Sequence, residues 1–109
     1  MSLKGKKCKA CEDKSVMPLT IPRAQEFLKE IPEWEISPDA SMISREFVFD
    51  SYRRSADFVA RVVNLAEEEG HHPDMHFYYG RVLVELTTHS IGGLSENDFI
   101  LAAKIDANI

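Results

Sequence analysis

The chain has 109 residues, 44% of them hydrophobic and 28% charged, with a net charge of −5. These totals suit one folded domain with one core and exclude a disordered chain. The acidic balance argues against a phosphate-backbone partner, so no direct nucleic-acid contact is expected, and no apolar run approaches the ~20 residues of a membrane span.

Residues 1–18 read as a flexible leader and residues 19–109 as a single domain. The leader begins "MSLKGKKCKACEDKS", which is basic but has no apolar stretch behind it. It is therefore not a secretory signal, and a cytoplasmic location is expected. Both cysteines lie here, Cys8 and Cys11, spaced C-x-x-C. One such pair is half of a zinc site and half of a redox motif. No second pair exists, and no strand and helix flank it as a thioredoxin-like site requires. Inert thiols on a loose tail are the plain reading. A metal clip completed by other ligands, or redox use, stays open beside it.

In "LTIPRAQEFLKEIPEW", Thr20 is placed to cap a helix with Pro22 in its first turn, where a missing N–H costs nothing. Phe27, Leu28 and Ile31 form its apolar stripe, and Pro32 is expected to stop it. "EWEIS" reads as a short strand with Trp34 and Ile36 on one face, and "PDAS" as a turn. "MISREFVFD" reads as a second strand, with Ile43, Arg45, Phe47 and Phe49 opposing Met42, Ser44, Glu46 and Val48. From Tyr52 to Glu69 the spacing is helical. Phe58, Val59, Val62, Val63, Leu65 and Ala66 share a broad apolar face, and Gly70 follows as the helix-ending residue. "MHFYYGRVLVELTTHS" predicts two strands about Gly80. Val82, Val84 and Leu86 share one face; Leu83, Glu85, Thr87 and His89 share the other if the strand runs that far. "IGGLS" is a loop. Ser95 and Asp98 have the spacing of a capping box, opening a last helix with Phe99, Ile100, Ala102, Ala103 and Ile105. The order is helix, strand, strand, helix, strand, strand, helix. It predicts an α+β domain, a four-stranded antiparallel sheet with helices packed on one face.

The stretch "EEEGHHPDM" from Glu67 to Met75 is unusual. Three acids end a helix, where the negative end of the dipole makes acids unfavourable. For Glu68 and Glu69 a solvated charge run suffices. Glu67 stands one helical turn before His71 and is expected to reach it. Carboxylates and a helix C-terminus put negative potential beside two imidazoles, which suits groups that trade protons near neutral pH. His71, His72, His76 and His89 are all the histidines in the chain. Simple capping of helix carbonyls by a histidine is the structural alternative, and Asp98 is explained by its capping box alone. Metal binding is a chemical alternative, although adjacent histidines seldom ligate one ion and no H-E-x-x-H is present. From spacing alone, the pattern is a histidine acid–base site of unknown substrate.

Glu67, His71-His72-Pro73, Tyr79, His89 and Asp98, at these intervals, resemble the signature of the pterin-4a-carbinolamine dehydratases. The resemblance covers roughly residues 19–109 and includes "LT" at 19–20, Trp34, "TTH" at 87–89 and "GLSENDF" at 93–99. It implies the dehydration of 4a-hydroxytetrahydropterin to quinonoid dihydropterin, within pterin recycling. It also implies a homodimer or homotetramer, a pterin as the small-molecule partner, and neither cofactor nor metal. His71, His72 and His89 would be catalytic, with His71 and His89 as proton donors and His72 as binder and base. Glu67 would orient His71. Backbone groups at Gly70–His72 and at Thr87, Thr88, His89 and Ser90 would hold the flat pterin edge, and Asp98 would steady the site. Met75 stands where animal members carry an aromatic, and His76 is read as surface or supporting. His71 is expected at a loop surface. Two further classes stay in view: a protein-binding module that borrows the fold without turnover, and a metal-binding protein.

Overall fold

Thr20 accepts the Arg23 amide on its hydroxyl at 3.4 Å, so the first helix starts where its cap residue stands. The computed structural model of the protein describes residues 3–5 and 18–108; Cys8 and Cys11 lie outside these. Helix α1 (Ile21–Leu28) ends short of Pro32. The amides of Glu30, Ile31 and Trp34 instead reach back three residues, to the carbonyls of Phe27, Leu28 and Ile31. That tighter winding turns Ile31 and Trp34 into the core.

Strand β1 is only Glu35–Ile36, paired antiparallel with β2 (Ile43–Val48). The turn between them is knit by its own side chains. The Ser41 and Ser37 hydroxyls and the Ser41 amide hold the Asp39 carboxyl below the usual carboxylate range. Helix α2 (Tyr52–Glu69) has the bounds its spacing predicts, from the Ser51 cap to Gly70. Gly70 adopts φ 67°, the left-handed conformation that glycine takes without strain, and its amide returns to the Ala66 carbonyl. The buried stripe is narrower than expected. Ser55, Phe58, Val62 and Ala66 are buried, whereas Val63 is exposed.

Strands β3 (Asp74–Tyr78) and β4 (Arg81–Leu86) form a hairpin about Tyr79 and Gly80. The sheet order is β1-β2-β4-β3, antiparallel throughout. Val82, Val84 and Leu86 point to one face and are buried with Ile43 and Phe47 under the helices. The strand does not run on to His89. Thr88 makes a lone bridge to Gly93, and residues His89–Ile91 wind into a short 3₁₀ turn.

Helix α3 (Glu96–Asp106) opens on the predicted capping box: the Ser95 amide donates to Asp98 Oδ2 at 2.9 Å. This helix lies deep, with Phe99, Ile100, Leu101, Ala102 and Ile105 all buried. Its far end is tied to the sheet through Asp106, which accepts Trp34 Nε1 at 2.9 Å and Arg45 Nη1 at 2.8 Å. Leu3 packs into the same core, so this part of the expected leader is docked on the fold. The result is the α+β arrangement read from the sequence, with the element order as expected. No helix among the described residues is long and apolar enough to cross a membrane.

Candidate active site

The end of α2 and the end of β4 come together at one side of the sheet. Gly70, His71 and His72 follow the helix; Thr87, Thr88, His89 and Ser90 follow the strand. These seven residues line one cleft of about 320 Å³. That is the low end of the ~300–1,000 Å³ found for small-molecule sites. The fold gathers them because the left-handed turn at Gly70 halts the helix above the sheet, and the Thr88–Gly93 bridge folds the chain back after β4.

His71 lies at the floor, buried, and not at a loop surface as expected. Its Nε2 meets Asp98 Oδ1 at 2.5 Å, and Asp98 itself is fully buried. Asp98 Oδ2 accepts the Thr88 hydroxyl at 2.8 Å and the Ser95 amide at 2.9 Å. The Ser95 hydroxyl in turn sits 2.7 Å from that of Thr88. A carboxylate only accepts, so Nε2 of His71 donates this hydrogen bond. The capping acid of α3 is thus also the anchor of a cleft imidazole.

His72 is exposed at the rim, and Glu67 belongs to it: Nε2 and Oε2 are 2.6 Å apart. The expected Glu67–His71 contact is absent. A one-turn interval holds only while the helix continues, and Gly70 breaks the winding between the two residues. The other acids also separate. Glu68 is exposed, but Glu69 is not part of a solvated run; its side chain is 6% exposed and lies 3.5 Å from Lys104 Nζ on α3. A half-buried base on a later helix answers a helix-end acid, which no local spacing could reveal.

His89 opens the 3₁₀ turn at the opposite wall, its side chain exposed, with Asp74 Oδ2 3.9 Å from its Nε2. Thr87 is braced from β1–β2: its hydroxyl donates to the Ser41 carbonyl at 2.6 Å. Asp74 was not singled out by spacing; an acid directly after Pro73, opening a strand beside the histidines, was the available sign. His76 faces away from the cleft, paired with Glu85 at 2.8 Å. Met75 packs against the core and does not line the cleft. Tyr79 stands exposed at the hairpin tip, stacked on Tyr52. Among the described residues no group of three His, Cys, Asp or Glu side chains is arranged to hold a metal ion.

Fold and cleft together define an α+β protein with imidazoles and hydroxyls around a small-molecule slot. Residues 17–108 match the family described as pterin 4 alpha carbinolamine dehydratase. A Halorhodospira halophila protein named for this dehydratase is 47% identical over 107 residues, covering 98% of this chain and 97% of its own length. The Arabidopsis thaliana protein named pterin-4-alpha-carbinolamine dehydratase 2, mitochondrial, is 42% identical, covering 95% of this chain and 57% of its own. Among solved structures, a transcriptional coactivator/pterin dehydratase from Brucella melitensis superposes with a TM-score of 0.78. It is 33% identical, covering 83% of this chain and 96% of that one. A pterin dehydratase-like protein described as a RuBisCO assembly factor in the alpha-carboxysome superposes with a TM-score of 0.60. It is 28% identical, covering 69% and 87%. The chain belongs to the pterin 4 alpha carbinolamine dehydratase family and is an enzyme of the lyase class.

Proposed function

We propose that this chain dehydrates 4a-hydroxytetrahydropterin to quinonoid dihydropterin by histidine acid–base catalysis. The observation that carries the reading is the convergence of His71, His72 and His89 on one cleft with a buried carboxylate behind His71. In the reaction the C4a–O bond breaks and the hydroxyl leaves as water after accepting a proton. The lone pair of the adjacent ring nitrogen forms the new C=N bond, and that nitrogen gives up its own proton to a base. One proton is delivered and one removed, so the net change is loss of water, with no redox step. Imidazoles able to hold or release a proton near neutral pH suit both transfers. His71, at the floor, and His89, at the far wall, are the donors in this reading. His72, steadied by Glu67, is the binder and base. Gly70, Thr87, Thr88 and Ser90 present backbone and hydroxyl groups to the heterocycle edge, and Asp98 fixes His71 from beneath.

Pterin is the small-molecule partner, and a homodimer or homotetramer is part of the proposal. Supporting self-association, β3 is an edge strand beside the exposed rings of Tyr52, Phe77 and Tyr79. Light scattering on the purified protein tests it. The cytoplasm is the proposed compartment, and cell fractionation tests that against the mitochondrial name of the Arabidopsis relative.

Stopped-flow absorbance with freshly generated 4a-hydroxytetrahydropterin tests the activity. The wild-type chain is expected to speed its loss at least ~100-fold over buffer, the ordinary reach of acid–base groups. No acceleration would refute the reading and favour the second one, a binding module without turnover. That second reading has one observation behind it, the structural likeness to the RuBisCO assembly factor.

A further inference from the structure

We propose that Asp74 is a positioning residue for His89, completing a set in which each cleft imidazole turns Nε2 toward a carboxylate of its own. The inference rests on the acid–base reading above. Asp98 meets Nε2 of His71 at 2.5 Å, Glu67 meets Nε2 of His72 at 2.6 Å, and Asp74 stands 3.9 Å from Nε2 of His89. The first two are hydrogen bonds in which the ring nitrogen donates to the carboxylate; the third is a looser approach of the same kind.

The backbones of both residues are fixed by their surroundings. Pro73 restricts the entry to β3, and the ladder sets Asp74 opposite Glu85. The 3₁₀ turn that His89 opens is closed by the Gly92 amide on the His89 carbonyl at 3.2 Å. The His89 side chain, by contrast, is 78% exposed, so packing does not set its orientation. The other carboxylates paired with histidines are already engaged. Asp98 holds His71, Glu67 holds His72, and Glu85 is taken by His76 at 2.8 Å. Asp74 has no nearer basic partner than His89 among the described residues.

A separation of 3.9 Å is too long for a hydrogen bond and short enough for charge attraction. Catalytic hydrogen bonds are often long without substrate and tighten in the complex. An exposed pair of this kind contributes little to stability. Its removal acts on the ring and leaves the fold alone, which separates a positioning role from a structural one.

The test uses the full chain as wild type, Asp74→Ala and Asp74→Glu. NMR side-chain couplings of His89 are expected to report one dominant χ1 rotamer in wild type and Asp74→Glu, and averaging in Asp74→Ala. In stopped-flow, Asp74→Ala is expected to lower kcat about tenfold with KM nearly unchanged, and Asp74→Glu to recover most of the loss; tenfold is ~1.4 kcal/mol of barrier. Melting temperatures of all three should coincide. Added to His89→Ala, the Asp74→Ala change should cost nothing further, because its effect runs through the ring. Equal His89 rotamer averaging in all three proteins, or an Asp74→Ala loss that adds fully to His89→Ala, would overturn the proposal. If the wild type itself lacks turnover, the function fails and the rotamer measurement alone decides the role of Asp74.

Discussion

His71 has 5% of its side chain exposed, and His72, the next residue, has 61%. Each meets a carboxylate through Nε2 at nearly the same distance, 2.5 and 2.6 Å. The two pairs are chemically alike and energetically unlike. The floor pair sits in low dielectric, shares its carboxylate with Thr88 and Ser95, and is built into the start of α3. The rim pair stands in water, where solvent screening leaves an ion pair little to contribute. One left-handed glycine separates these environments: it ends α2, turns His71 inward, and leaves Glu67 facing His72. A single cleft thus combines an imidazole whose position is set by the core with one free to adapt to its ligand.

The largest effect is expected at Asp98. Asp98→Ala removes the acceptor for His71, Thr88 and the α3 cap together. Breaking a buried pair of this kind costs about 3–5 kcal/mol. Urea denaturation should register that loss, and turnover at a permissive temperature should fall with it. Next comes His71→Ala, which leaves a buried carboxylate short of one donor, about 1.5–3 kcal/mol. It is expected both to destabilise the chain and to slow dehydration ~100-fold or more. Glu67→Gln should separate the two quantities, with a stability change under ~1 kcal/mol and a turnover loss near tenfold. If its midpoint shifted as far as that of His71→Ala, the contrast between floor and rim would fail. Lys104→Ala should have the smallest effect. It removes the Lys104–Glu69 contact away from the cleft, lowering stability by a fraction of ~1 kcal/mol and leaving turnover as it was.

Much of the architecture was legible because it follows from local rules. Gly70 ends α2, Ser95 and Asp98 open α3, and Gly80 sits in the hairpin turn. The alternation of Val82, Val84 and Leu86 named the buried face of β4. What escaped was long-range or non-helical. The helical interval from Glu67 to His71 loses its meaning at the αL residue between them. Glu69 looked solvated because its partner, Lys104, lies on another helix. Ile31 and Trp34 enter the core through tightened turns after α1, not through a continued helix. Asp98 was legible as a cap, but its second bond, to His71, depends on how α3 docks under α2. The pairing of Asp74 with His89 likewise arises only when β3 starts beside the turn after β4.

The most direct test of the central claim compares exposed histidines, whose replacement leaves the core untouched. Dehydration of 4a-hydroxytetrahydropterin should be followed by stopped-flow for His72→Ala, His89→Ala and His76→Ala beside wild type. The account predicts that the first two lose ~100-fold or more while His76→Ala, outside the cleft, keeps wild-type turnover. Equal rates in all four proteins, or a loss confined to His76→Ala, would contradict it.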